Sequence, residues 1–172
     1  MASSREYPER PVVGVGGVVI ENGRALLIRR GGEPLKGQWS IPGGTLETGE
    51  TLEEGTRREL EEETGLSVRV VELIEVFERI FHDQGPVQGR EPGRGASGDA
   101  EITSGRPRFH FVILDYLCER ISGEARAGGD VTDVAWATED ELERYHLTPT
   151  ATRILKKAFA MRRGARPPAK MG

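Results

Sequence analysis

Residues 44 to 66 read Gly44-Thr45-Leu46-Glu47-Thr48-Gly49-Glu50-Thr51-Leu52-Glu53-Glu54-Gly55-Thr56-Arg57-Arg58-Glu59-Leu60-Glu61-Glu62-Glu63-Thr64-Gly65-Leu66. Thr51 followed three residues later by Glu54 has the pattern of a capping box, and Gly65 stands where helices commonly turn left-handed, so the spacing predicts a helix over Leu52–Thr64. Gly55 inside it is a departure that costs about 1 kcal/mol relative to alanine. Positions three and four apart share a helical face, so Glu59, Glu62 and Glu63 direct their carboxylates to one side. The plain reading of such a face is a solvated acidic surface laced with salt bridges. Three neighbours argue against it here: Arg58 stands four residues before Glu62, Glu50 stands at the helix start, and Pro42-Gly43-Gly44 brings backbone carbonyls beside the same helix. Hard oxygen donors gathered in this way favour Mg²⁺ or Mn²⁺ over zinc.

On either side of this segment the pattern turns to strands. Val12 to Ile20 is β-branched with interleaved glycines, Glu21-Asn22-Gly23 is a turn signal, and Arg24 to Arg30 is a second apolar run, so a hairpin is expected. Trp39-Ser40-Ile41 reads as a short strand stopped by Pro42-Gly43-Gly44. Beyond the helix, Ser67 to Phe81 and Phe109 to Glu119 are β-prone, Val131 to Trp136 is a last short strand, and Glu139 to Arg144 is a helical turn. Thr150 to Arg162 is an amphipathic helix with Ile154, Leu155, Ala158 and Phe159 on its apolar side, entered through Thr148 or Thr150 as a cap. The stretch from Asp83 to Pro107 holds six glycines and three prolines, is too long for an ordinary turn, and is expected to be a mobile insert or lid. The mixture of strands and helices indicates an α/β sandwich of one domain over residues 12–162, with an extension at 1–11 and a basic tail at 163–172.

Composition bounds the function. Hydrophobic residues make up 36% and charged residues 30% of 172, and no apolar run approaches the roughly 18 residues of a membrane span. The first eleven residues carry Arg5, Glu6, Glu9 and Arg10 where a signal peptide needs an apolar core, so a cytoplasmic protein is expected. The net charge is −4, yet Glu47 to Glu63 holds eight glutamates against two arginines and contributes −6 by itself. The remainder is slightly positive, so the chain is nearly neutral apart from one carboxylate cluster that repels a nucleic-acid backbone and attracts divalent cations. The single cysteine, Cys118, sits in an apolar run and is expected in the core.

Gly44, five residues, Glu50, seven residues, then Arg58-Glu59-Leu60-Glu61-Glu62-Glu63-Thr64-Gly65-Leu66 resembles a complete Nudix box, with nine positions matched over 23 residues. The strand pattern before it and the strand and helix pattern after it are similar to that family over roughly residues 12–160, the insert excepted. The resemblance implies a Nudix-type α/β/α sandwich with a mixed central sheet. It also implies metal ligation by Glu59 and Glu63, with Glu62 and the Gly44 carbonyl in the shell and Glu50 and Arg58 in support. The implied activity is Mg²⁺- or Mn²⁺-dependent pyrophosphohydrolysis. Glu62 ranks first as general base, with Glu101 and Asp130 as further candidates.

Outside the box, Arg29 and Arg30 close a strand and could pair with substrate phosphates. Trp39, Phe111 and Trp136 could stack on a base, although aromatic residues in β-prone runs more often pack in a core. His82, His110 and His146 show no metal-ligand spacing and are read as structural. Trp39-Ser40-Ile41-Pro42-Gly43-Gly44, with Phe111 and the final Thr-Pro-led helix, is similar to the bacterial ADP-ribose pyrophosphatase-like branch. The expected substrate is therefore a nucleoside diphosphate derivative such as ADP-ribose, with oxidised nucleoside triphosphates or dinucleotides as the alternative. A ligand-sensing domain without catalysis would lack box glutamates, and none is lost here. A nucleotide-derived small molecule is the expected partner, with no nucleic acid and no membrane; a homodimer stays open.

Overall fold

The computed structural model describes residues 5–83 and 106–164. Most of the expected insert (84–105, including Glu101) and of the tail (165–172) lies outside the described residues. The strands are β1 (Val12–Glu21), β2 (Arg24–Arg30), β3 (Trp39–Ser40), β4 (Gly43–Thr45), β5 (Ser67–Phe81), β6 (Phe109–Ser122) and β7 (Val131–Thr138). Helix α1 spans Leu52–Thr64, a 3-10 helix spans Glu139–Tyr145, and α2 spans Pro149–Gly164. No helix among the described residues is long and apolar enough to cross a membrane.

The sheet is mixed, running β3-β2-β1-β6-β5, with β4 paired to β1 and β7 paired to β2. β1 and β6 are parallel from Val12↔Phe111 to Val19↔Cys118, while β5 and β6 form a long antiparallel ribbon from Ser67↔Ser122 to Phe81↔Phe109. Side chains alternate along a strand, so each central strand supplies both faces. Val18, Leu27 and Leu117 pack with Ile154, Leu155, Ala158 and Phe159 of α2. Their neighbours Val19, Leu26 and Cys118 pack with Leu60 of α1. A helix lies on each face, giving the α/β/α arrangement.

Two expectations need correction. The β1–β2 hairpin is confined to its tip, where only Ile20↔Ala25 and Glu21↔Arg24 pair around an Asn22-Gly23 turn with φ of 50° and 74°. The glycine-rich half of β1 pairs elsewhere, with β6 on one edge and β4 on the other. Pro42-Gly43-Gly44 does not simply stop a strand, since Gly43–Thr45 forms β4 in register with Gly14–Gly16. Each of the three pairs contains at least one glycine, and Gly16 faces Gly43, so the two backbones meet with few side chains to accommodate.

Helix α1 begins and ends as its sequence predicts. Glu54 N–H donates to Thr51 Oγ1 at 3.2 Å and Thr51 N–H to Glu54 Oε2 at 2.8 Å, closing the capping box. Gly65 ends the helix at φ 71° and ψ 7°, its N–H donating to the Glu61 carbonyl. Helix α2 starts at Pro149 behind Thr148, whose Oγ1 accepts from Ala151 N–H at 3.2 Å, so Thr148 rather than Thr150 is the cap. Gly65→Ala should cost about 1 kcal/mol, because alanine pays the left-handed penalty that glycine avoids. Urea denaturation measures it, and an unchanged midpoint would show that this turn does not limit α1.

Candidate active site

Arg58 organises the acidic end of α1. Its guanidinium donates to both oxygens of Glu50, at 2.6 and 2.9 Å, to Glu59 Oε1 at 2.8 Å and to the Thr45 carbonyl at 3.0 Å. Glu62, four residues on, is reached only at 3.4 Å and its side chain is 57% exposed. Glu50 also accepts from Glu47 N–H at 2.9 Å. Hydrogen bonds from Arg58 first and that amide second hold the Glu50 carboxyl down to about 2, so it stays ionised and keeps the loop before α1 tied to the helix.

Glu59 and Glu63 are both 8% exposed. Burial pushes the Glu63 carboxyl up to about 8, against the pull of the Gly43 N–H that donates to its Oε2 at 2.8 Å, and the Glu59 charge adds to the rise. Burial also raises Glu59, with Arg58 opposing it. Glu59 lies over Gly44, where an added Cβ would come within 2.4 Å of its carboxylate. Glycine is therefore required if α1 is to sit this close to β4.

Among the described residues, no three acidic, histidine or cysteine side chains close into a ready-made metal cage. Glu59 is drawn to Arg58, Glu63 to the Gly43 amide, and Glu62 faces outward. The donor set still suits a hard divalent cation: two buried carboxylates with raised proton affinity stand beside exposed Glu62 and the β4 backbone, and a cation would offset their repulsion.

These residues line one end of a cavity of about 760 Å³, a size that takes a nucleotide-scale ligand. Asp130 and Arg30 join them there, and both are close enough for Glu63 to feel their charge. The loop carrying Asp130 is held by α1 itself, through Arg126 N–H to the Thr64 carbonyl at 2.9 Å and Gly128 N–H to the Glu63 carbonyl at 3.0 Å. These bonds satisfy carbonyls that a helix end leaves open. Arg30 faces the cavity with its Nε donating to the Pro34 carbonyl at 2.9 Å.

Arg29, one residue earlier, points to the other side and donates to the Gly37 carbonyl. It is exposed and does not line the cavity. Trp39 does not reach the cavity either, since it packs edge-on against Tyr145 with ring centroids 5.2 Å apart. Trp136 packs against the α1-side core, whereas Phe111 does line the cavity. The histidines and Cys118 stand outside it.

Sequence reasoning did not single out Arg79 and Asp115, which also line the cavity. Asp115 is the lone carboxylate in the apolar run 109–118, at a position that faces α2, and that misfit was the available signal; Arg79, one of several charges in β5, offered none.

The NUDIX domain family profile matches residues 10–158. An ADP-ribose pyrophosphatase of Methanocaldococcus jannaschii is 33% identical over 123 residues, which is 72% of this chain and 59% of that protein. A MutT-like protein of Streptomyces ambofaciens is 34% identical over 90% of this chain and 83% of its own length. Among solved structures, a MutT NUDIX hydrolase from Burkholderia pseudomallei superposes with a TM-score of 0.66 at 28% identity, covering 87% of this chain and 98% of that one. With the profile spanning most of the sequence and the box glutamates gathered at one cavity, this chain belongs to the NUDIX domain family.

Proposed function

We propose that the chain is a divalent-metal-dependent hydrolase that cleaves the diphosphate of a nucleoside diphosphate derivative such as ADP-ribose, releasing a nucleoside monophosphate. The observation that carries this reading is the grouping of Glu59, Glu63, Gly44 and the Arg58–Glu50 pair at one end of a cavity that also presents Arg30. The relative from M. jannaschii carries the name ADP-ribose pyrophosphatase, which favours that substrate over a triphosphate.

Mg²⁺ or Mn²⁺ would be held by Glu59, Glu63 and the Gly44 carbonyl, with Glu62 beside them. When bound, such an ion neutralises diphosphate charge and makes water a better nucleophile. The chain's own residues do the rest. Arg58 fixes Glu59 and ties it to Glu50 and the Thr45 carbonyl, so the acidic face keeps its shape without a ligand. Arg30, close enough to act on the Glu63 charge, offers a guanidinium to a phosphate oxygen. Glu62, exposed and only weakly held, takes the proton from the attacking water, and Asp130, on the loop bonded to the end of α1, is the alternative base. Phosphoryl transfer of this kind depends on positioning and charge more than on covalent chemistry.

Glu63→Gln should lower kcat at least about 100-fold with Mg²⁺ present, as expected when a centre of transition-state charge stabilisation is lost. Near wild-type turnover in a variant with an unchanged circular dichroism spectrum would sink the assignment.

Glu62→Gln should lower kcat more than Asp130→Asn does. The reverse order would move the base to the loop after β6.

With ADP-ribose in ¹⁸O-water, the products should be AMP and ribose 5-phosphate, one of them carrying the label. Free ribose with intact ADP would mean cleavage at the glycosyl carbon, and turnover of nucleoside triphosphates alone would shift the substrate class.

A further inference from the structure

Beyond the acidic end, the cavity continues across the α2-facing side of β1, β6 and β5. Its lining there includes Phe77, Arg79 and Phe81 of β5 and Phe111, Ile113 and Asp115 of β6, so two charged groups stand among apolar ones. Asp115 is 4% exposed. Its carboxyl lies over Gly16, where any Cβ would fall 2.2 Å from Oδ1, so only glycine at that place in β1 leaves it room. Among the described residues it accepts no hydrogen bond, yet no fully buried side-chain nitrogen or oxygen lacks a partner. Its oxygens are therefore open to the cavity.

Arg79 is likewise uncommitted. It forms no ion pair within the described residues, stands over the Phe81 ring at 5.8 Å, and feels Asp115 and Arg30 through space. Burial pushes the Asp115 carboxyl up to about 7 despite the attraction of Arg79, so this group is left short of stabilising partners. An ionisable group buried without a hydrogen bond is costly unless something else satisfies it.

The order of charges along the cavity says what that is. Glu63 neighbours Asp130 and Arg30, Arg30 neighbours Arg79, and Arg79 neighbours Asp115. A phosphate suits the arginines and a metal-loaded acidic end, and the Asp115 charge repels it. At Asp115 a ligand must present a hydrogen-bond donor, and beside Phe77 and Phe111 it gains from a flat apolar face.

We propose that Asp115 reads the base of the substrate: its carboxylate accepts a hydrogen bond from the exocyclic amino group of a nucleobase seated against Phe77 and Phe111, while Arg79 donates to a ring acceptor of that base. Asp115 and Arg79 are specificity-determining residues with no part in bond cleavage. The proposal rests on the reading of the carboxylates on α1 as the diphosphate site, with the nucleoside on the α2-facing side of the same sheet.

The test uses the metal-free protein and calorimetric binding of nucleoside monophosphates, each paired with its analogue lacking the amino group. The pairs are AMP with purine riboside 5′-monophosphate, GMP with IMP, and CMP with zebularine 5′-monophosphate. In at least one pair the amino-bearing member should bind about tenfold tighter or better, the size of a hydrogen bond to a charged group. In Asp115→Asn, and in Asp115→Ala should the first variant fold poorly by circular dichroism, the two members should differ by less than about threefold. Equal binding within every pair in the wild-type protein, a preference that survives both substitutions, or no binding of any monophosphate would each overturn the proposal. Hydrolysis of ADP-ribose, assayed separately with Mg²⁺, keeps the two readings apart. Lost turnover with an intact base preference strikes the diphosphate assignment, and intact turnover without a base preference strikes Asp115.

Discussion

Arg58 between Glu50 and Glu59 is the contact on which the rest of the site depends. A helix with glutamates at three positions of one face repels itself, and burying two of them against β4 makes that worse. The guanidinium answers both problems. It neutralises Glu59 at 2.8 Å, and its two bonds to Glu50 and one to the Thr45 carbonyl pin the loop between β4 and α1. With a side chain 22% exposed it is screened only in part, so its contribution exceeds that of a surface ion pair. Lysine in its place could not make the same forked set of bonds.

Close approach is the second constraint, and glycines supply it in pairs. Gly43 and Gly44 of β4 face Gly16 and Val15 of β1. Gly44 leaves space for the Glu59 carboxylate, and Gly16 leaves space for the Asp115 carboxyl on the opposite side. The same short pairing thus admits a buried acid above the sheet and another below it. Burial raises the carboxyl of Asp115 to about 7 and that of Glu63, the neighbour of Glu59 on α1, to about 8, so these two groups favour stability at low pH. The sign follows from linkage: a folded-state value above the unfolded one means the native state holds more protons. That stabilisation is full below the ordinary carboxylate range and is lost as pH rises through the folded-state values.

Local signals and long-range pairing explain what could be read in the sequence and what could not. Helix α1 was legible to the residue, because a capping box and a left-handed glycine act within a few positions of the chain. The start of β5 and its end at Phe81 were equally clear, as were the buried positions Ile154, Leu155, Ala158 and Phe159 of α2. The β1–β2 hairpin was overestimated, since the turn at Asn22-Gly23 is local while the partner of Val12–Val19 is β6, nearly a hundred residues away. β4 was missed for the same reason, because a Pro-Gly-Gly sequence looks like a breaker until a glycine-rich strand lies beside it. Within the site, helical spacing put Glu59, Glu62 and Glu63 on one face, and the resemblance to the Nudix box implied their roles and those of Gly44, Glu50 and Arg58. Arg30 was separated from Arg29 only by the alternation of β2, and Trp39 was diverted to Tyr145 by the fold of the 3-10 helix. Asp115 and Arg79 gain meaning only when β5 and β6 are paired and the cavity is seen.

That alternation also determines which changes the site can absorb. Gly17 faces α1, where an added Cβ would lie 2.9 Å from Leu60 and from Cys118, whereas Gly14 and Gly16 face the cavity. A larger residue at position 17 would lift α1 and carry Glu59 and Glu63 with it, disturbing the carboxylate end as a whole. Substitutions at Ile113 or Phe77 act on the other face and can reshape the far end of the cavity while α1 stays seated on Val15 and Val19. One sheet therefore holds a face that seats α1 and its carboxylates and tolerates little change, and an α2-facing side whose cavity lining can vary. The separation follows from the two-residue repeat of a strand and requires no second domain.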